Sequence, residues 1–201
     1  MRRFVGTTVL AVALLMFSGL PAGAASSAQL KAKALSISNF PTGWSVVSSP
    51  PTPGVTCVSP IFRGSGLTTA KVSFAVGGNV PRLEEEIATG KSAHKSFTSA
   101  VSRLNACTSV SATNQQGQHI VASIGQLSFP MSGRRSAAYA ETFSVQGVNA
   151  SQDIVIIDTG SDIVGVSLGD VGTVDTGLLQ GFVTEAVNKV EGKPTTTPTT
   201  F

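Results

Sequence analysis

The sequence predicts a single α+β domain, an antiparallel sheet of five to six strands with helices packed on one face. Three observations favour this class. Apolar residues alternate over 68–76, as they do in a strand buried on one side. They recur every three or four positions over 81–106 and 174–190, which is helical spacing. Between 108 and 169, short strand-like segments are separated by turn sequences.

Residues 1–24 have the pattern of a secretory signal peptide. Two arginines precede an apolar run over 4–20, and Ala22 and Ala24 are the small residues expected before a cleavage site. The alternative is an uncleaved membrane anchor, but the run is short for a span. The sequence therefore predicts a secreted, extracellular or cell-wall-associated protein with no membrane span after cleavage.

The charge balance argues against a nucleic-acid partner. The full chain carries 14 basic and 11 acidic residues. Removal of the signal peptide takes away two arginines and leaves the protein almost neutral. A nucleic-acid-binding protein is expected to concentrate basic residues on one face, whereas here only Arg134 and Arg135 are adjacent. We expect a monomer whose partner is a small molecule or a component of the cell envelope.

The predicted domain covers residues 35–191. The small and polar residues of 25–34 suggest a tether before it. Residues 192–201 are rich in Pro and Thr, which predicts a disordered tail. Within the domain, the turn at Pro41–Trp44 leads into a first strand, and the alternating strand over 68–76 follows it.

The helical stripe over 81–106 predicts two helices with a break near Thr89 and Gly90. On this interpretation Glu84–Glu86 form a solvated helix face. Cys107 follows the second helix and can reach back to the loop that contains Cys57. Exported thiols usually oxidise, so we expect a Cys57–Cys107 disulfide, with two free thiols as the alternative.

Asp158-Thr159-Gly160 lies in an apolar stretch, as the catalytic loop of an aspartic protease does, and Asp175-Thr176-Gly177 repeats the motif. Such a protease needs two carboxylates from two separate lobes. The two motifs are too close in the chain for that. A hairpin turn explains the first motif, since Gly and Asp suit tight turns, and a helix start explains the second.

No other pattern points to chemistry. His94 and His119 lie on a predicted helix and a predicted strand without metal-ligand spacing around them. We therefore expect no catalytic residues, no metal and no cofactor.

Several features together resemble the PknH-like extracellular sensor domain and its secreted or lipoprotein relatives in actinobacteria. They follow one another in the family's order. In this sequence they are the Pro41–Trp44 turn, Cys57, the strand that ends near Phe74, Cys107, the Leu127–Gly133 strand exit, the strand over 137–143, the hairpin over 154–169 and a last helix.

The resemblance implies an α+β sandwich with a ligand cleft and without catalysis. The kinases of this family carry two disulfides, whereas this chain can form only one. No kinase domain or transmembrane helix accompanies the domain here, so a signal would need a separate partner.

Two functions compete, a secreted binding or sensor-like module and a small secreted hydrolase with an unrecognised site. Structural or surface-adhesive roles are the remaining alternative. For the cleft of a binding module we select Arg63, Arg134, Arg135 and Tyr139 as lining residues. Taken singly, each could instead be a surface arginine or a packed tyrosine. A Ser or Asp beside a perturbed His would favour the hydrolase.

Overall fold

The computed structural model describes residues 26–48, 60–77, 80–113, 119–145 and 148–195. Eight strands form one antiparallel sheet. They are β1 Trp44–Val46, β2 Thr68–Val76, β3 Arg82–Thr89, β4 Ser109–Thr113, β5 His119–Gln126, β6 Arg135–Val145, β7 Val148–Asp158 and β8 Asp162–Val171. The helices are α1 Ser27–Lys33, α2 Ala93–Ala106 and α3 Thr176–Val190, with a 3-10 turn at Ile37–Asn39.

The α+β class and the single antiparallel sheet are confirmed, but the predicted number of five to six strands is too low. The strand order is β1-β2-β3-β8-β7-β6-β5-β4. The hairpin of β7 and β8 occupies the middle, where Ile157 pairs with Val164 and Val155 with Val166. All four of these residues are fully buried, as expected for central strands covered on both faces.

The prediction that the helices pack on one face is wrong, because they pack on both. Side chains alternate along a strand. On β7, Val155 and Ile157 contact the core below α1 and α3, whereas Ile154 and Ile156 contact the core below α2. We name these surfaces the α3 face and the α2 face.

The predicted first helix of the 81–106 stripe is in fact strand β3. Apolar residues four apart, such as Leu83 and Ile87, fall on one face of a helix but also on one face of a strand. Leu83 and Ile87 are fully buried on the α3 face. The solvated-face interpretation of Glu84–Glu86 is also wrong, since Glu85 is 0% and Glu86 8% exposed. The second helix is confirmed as α2.

The segment predicted as a tether forms helix α1. Ser26 caps this helix by accepting a hydrogen bond from the Gln29 amide, and the Gln29 side chain returns the bond to the Ser26 amide. Leu30 is fully buried in the α3-face core. The packed structure therefore begins before Leu35. The predicted signal peptide (1–24) and residues 196–201 of the predicted tail lie outside the described residues. Among the described helices, none is long and apolar enough to cross a membrane.

Candidate functional site

The Asp158 motif is the turn between β7 and β8, as predicted. Asp158 Oδ1 accepts the Gly160 amide at 2.8 Å, and the Thr159 hydroxyl donates to the Asp162 carbonyl at 2.9 Å. Gly160 has a φ of 99°, a conformation that favours glycine. The second motif is a helix cap, in which Asp175 Oδ1 accepts the Leu178 amide at 3.0 Å. The two motifs thus lie at opposite ends of β8.

Asp158 is nevertheless more than a turn residue. Its side chain is 2% exposed, and its Oδ2 atom lies 2.7 Å from both His94 Nδ1 of α2 and Arg135 Nη2 of β6. The Arg135 guanidinium also lies 4.6 Å from the centre of the Phe97 ring. We call His94, Arg135 and Asp158 the aspartate cluster. It joins the start of α2 to the end of the sheet at which β7 terminates.

The aspartate cluster keeps its carboxylate charged. Burial by itself would raise the pKa of Asp158. The Arg135 hydrogen bond, the Gly160 amide and the neighbouring His94 and Arg135 side chains outweigh burial and hold that pKa below its usual range.

The cluster contains the Asp beside His that a hydrolase would need, but its geometry is unsuited to general-base catalysis. His94 Nδ1 contacts Asp158, and His94 Nε2 lies 2.9 Å from Arg135 Nη2. In a neutral ring that donates to Asp158, Nε2 is the lone-pair nitrogen, and here it accepts from Arg135. A catalytic triad requires that nitrogen to face a nucleophile.

The structure brings two of the four predicted ligand residues, Arg134 and Arg135, to the start of α2. Arg135 contacts His94, and Arg134 precedes it beside Gly160. The Arg63 carbonyl accepts the hydroxyl of Ser96 of α2 at 3.1 Å. Burial and then the nearby charge of Arg63 lower the pKa of Arg103 in the last turn of that helix. Arg63 and Arg134 are loop residues, whereas Arg135 is the first residue of β6.

Tyr139 is not near these arginines and does not line an open cleft. It is 2% exposed in the α2-face core, and its hydroxyl donates to Asn105 Oδ1 at 2.9 Å. Burial raises its pKa. The packed-tyrosine alternative therefore describes its position in the structure.

A shallow cavity of about 360 Å³ lies on the part of the sheet that α1 and α3 leave open. We call it the polar shelf. It is lined by Val121, Ser123, Thr142, Phe143, Ser144, Asn149, Ala150 and Ser151. None of these residues is charged, and four carry hydroxyl groups. Their strands β5, β6 and β7 are hydrogen-bonded neighbours, so the lining is held by the rigid sheet.

Small and acidic residues lie next to the polar shelf on the same strands. A Cβ atom added at Gly125 of β5 would meet no atom within 4 Å. On β7, Asp153 follows Ser151 on the same face and pairs with Ala140. Asp153 is 6% exposed, and burial raises its pKa. Sequence reasoning missed this shelf, because polar residues that alternate along a strand look the same on any solvated face.

Cys107 ends α2 as predicted, is buried, and is not a free thiol in the structure. Cys57, its predicted partner, lies outside the described residues, so their pairing stays a prediction. Within the described ranges, no three His, Cys, Asp or Glu residues are grouped closely enough to hold a metal ion.

Comparisons with known proteins find a likeness of fold. The structure is similar to the crystal structure of the extracellular domain of PknH from Mycobacterium tuberculosis, with a TM-score of 0.54 and 14% sequence identity. The match covers 75% of this chain and 82% of that domain. This confirms the structural resemblance expected from the sequence. No family model and no curated protein matches the chain.

Proposed function

We propose that the protein is a non-catalytic binding module of the cell envelope, whose ligand is a small uncharged molecule rich in hydroxyl groups, such as a saccharide. The observation that carries the proposal is the polar shelf, an open cavity lined without a single charged side chain. The fold it shares with an extracellular domain and the signal-peptide pattern of residues 1–24 support an extracytoplasmic location.

The chemistry of the shelf suits such a ligand. Ser123 Oγ and Thr142 Oγ1 lie 2.6 Å apart, so each hydroxyl still has capacity for a ligand hydroxyl. Asn149 supplies an amide, and Val121, 46% exposed, supplies an apolar contact. An anionic or cationic ligand would leave its charge without a partner on the lining, which disfavours it.

The test measures thermal unfolding of the exported protein with a panel of neutral saccharides and with the matching uronic acids and amino sugars. A ligand that binds only the folded state raises the melting temperature, and the shift grows as the ligand concentration rises above its Kd. We expect a shift with neutral members that is lost in Thr142→Trp, which fills the shelf. Val171→Trp, an exposed strand position outside the shelf, is the control.

The outcome that contradicts the proposal is a shift that charged sugars produce equally, or one that survives Thr142→Trp. The hydrolase alternative predicts turnover instead. If the protein cleaves saccharide esters or casein, and His94→Gln abolishes the cleavage, the non-catalytic assignment is wrong.

A further inference from the structure

Four exposed cationic residues lie at the start of α2 and at the start of β6. We call them the basic surface; they are Lys91, Lys95, Arg134 and Arg135. The contact between Arg135 and His94 joins the two segments. Lys95 follows His94 directly in the chain, and Arg134 directly precedes Arg135.

Little negative charge offsets the basic surface. The first turn of α2 carries no acidic residue. The carboxylate of Asp158 contacts the basic surface, but it is buried and is already bonded to Arg135 and His94. Residues 91–107 contain no acidic side chain, so the charges of Lys91 and Lys95 are not offset within their own segment.

An exposed apolar side chain lies three residues before Arg134 in the chain. Met131, 79% exposed, is the most exposed of the large hydrophobic residues described. Its loop leads into Arg134 and Arg135. Phe129 packs against the α3-face core and holds one side of the loop. On the other side, Gly133 approaches the sheet so closely that a Cβ atom would lie 2.6 Å from Ile157 Cγ2.

We infer that this end of the molecule docks on an anionic phospholipid bilayer, with the basic surface over the headgroups and Met131 inserted among them. Lysines and arginines near an anionic membrane each contribute attraction, and an apolar side chain adds burial at the interface. The loop that presents Met131 is fixed at both sides, so insertion requires no reordering of the backbone. This inference is independent of the ligand proposed for the polar shelf.

The test is sedimentation of the exported protein with vesicles. One set is phosphatidylcholine alone, and the other is an equimolar mixture of phosphatidylcholine and phosphatidylglycerol. We expect binding to the mixed vesicles only, weakening as salt rises because salt screens exposed charges. The double variant Lys95→Gln, Arg134→Gln should bind at least tenfold more weakly, at about fivefold for each cation lost.

Matched controls separate the local surface from net charge and from general hydrophobicity. Thr173→Glu with Gln180→Glu lowers the net charge equally, at exposed positions after β8 and on α3. Met131→Ser should weaken vesicle binding several-fold, whereas Val171→Ser, which alters a 60% exposed valine at the far end of β8, should not. Arg135 is left intact because it contacts Asp158.

Three results would overturn the inference. One is equal binding to vesicles with and without phosphatidylglycerol, or no binding to either. Another is equal weakening by the variant and its charge-matched control. The third is capture by soluble polyphosphate or duplex DNA as strong as by vesicles, with no effect of Met131→Ser, which would show a general anion-binding surface.

Discussion

Burial raises the pKa of four acidic side chains, which are Glu85, Glu86, Glu141 and Asp153. Glu85 and Glu141 are 0% and 1% exposed, and burial raises the pKa of each to about 7. For Glu85, the Leu35 amide, 2.6 Å from Oε2, and the charge of Lys189 offset part of this rise. Burial also raises the pKa of Asp153 beside the polar shelf. The run of three glutamates in β3 does not by itself indicate which of them are buried, because burial depends on which helices cover the sheet.

Stability should therefore decrease as pH rises from about 4.5 to 7. An ordinary glutamate pKa is 4.5 and the folded-state value is about 7, so the folded state holds the proton more tightly. The stabilisation is fully present below the unfolded pKa and is lost as pH rises through the folded pKa. Each glutamate contributes roughly 3 kcal/mol to this decrease.

Urea unfolding at pH 5 and pH 8 measures the effect. Glu85→Gln and Glu141→Gln should each flatten the dependence, and Glu84→Gln, on the more exposed glutamate of β3, should leave it unchanged. Equal stability of the unaltered protein at the two pH values would contradict the assignment.

The contacts within the aspartate cluster should make Asp158 important for the free energy of unfolding. Asp158→Asn keeps the acceptor for the Gly160 amide but leaves the Arg135 guanidinium without its anion, so we expect a loss of about 1–3 kcal/mol. Asp175→Asn is the control, because asparagine caps helices as well as aspartate does. Denaturant unfolding compares the two. The Asp-Thr-Gly motif predicted the turn correctly. The sequence could not pair Asp158 with His94 and Arg135, because both residues are distant from it in the chain.

At the scale of elements, the sequence correctly predicted those helices and strands whose apolar residues recur regularly and whose ends carry capping or turn residues. The β7–β8 hairpin, α2 and α3 are confirmed. Strand β3 was mistaken for a helix because Leu83 and Ile87 satisfy both periods. Helix α1 was missed because Leu30 is its one buried residue, and a single apolar side chain makes no stripe. The prediction that the helices share one face fails for α2 and α3, which were both predicted as helices but pack on opposite faces of the sheet.

Leu30→Ala should destabilise the protein by about 2–5 kcal/mol, because Leu30 is fully buried beneath α1 and truncation leaves a cavity. Lys31→Ala, on the exposed side of the same helix, is the control and should change stability little. A true tether would show equal and negligible effects in both variants, and that result would contradict the packing of α1.

At the scale of the whole molecule, the sheet separates two surfaces. The α3 face carries the uncharged polar shelf, and the start of α2 carries the basic surface. The sequence predicted Arg134 and Arg135 of this second surface but not their approach to α2, since Lys95 and Arg134 come from two segments that only the fold brings together. The sequence predicted no concentrated basic face, because residues that are close in space need not be adjacent in the chain.

The predicted Cys57–Cys107 bond links the end of α2 to a loop about 50 residues earlier. In the chain-entropy account, closing such a loop contributes about 4 kcal/mol. Cys107→Ser should therefore lower the melting temperature markedly. A thiol count on unfolded, unreduced protein checks the bond, and two free thiols per chain would refute it.

The central claim is that an uncharged ligand binds the polar shelf without being transformed. Amide chemical-shift mapping during titration with the neutral saccharides of the panel tests it most directly. We predict shifts confined to β5, β6 and β7 around Ser123, Thr142 and Ser151, absent in Thr142→Trp, with the saccharide recovered intact. Shifts centred on His94 and Asp158, cleavage of the saccharide, or no shift with any neutral member would contradict the claim.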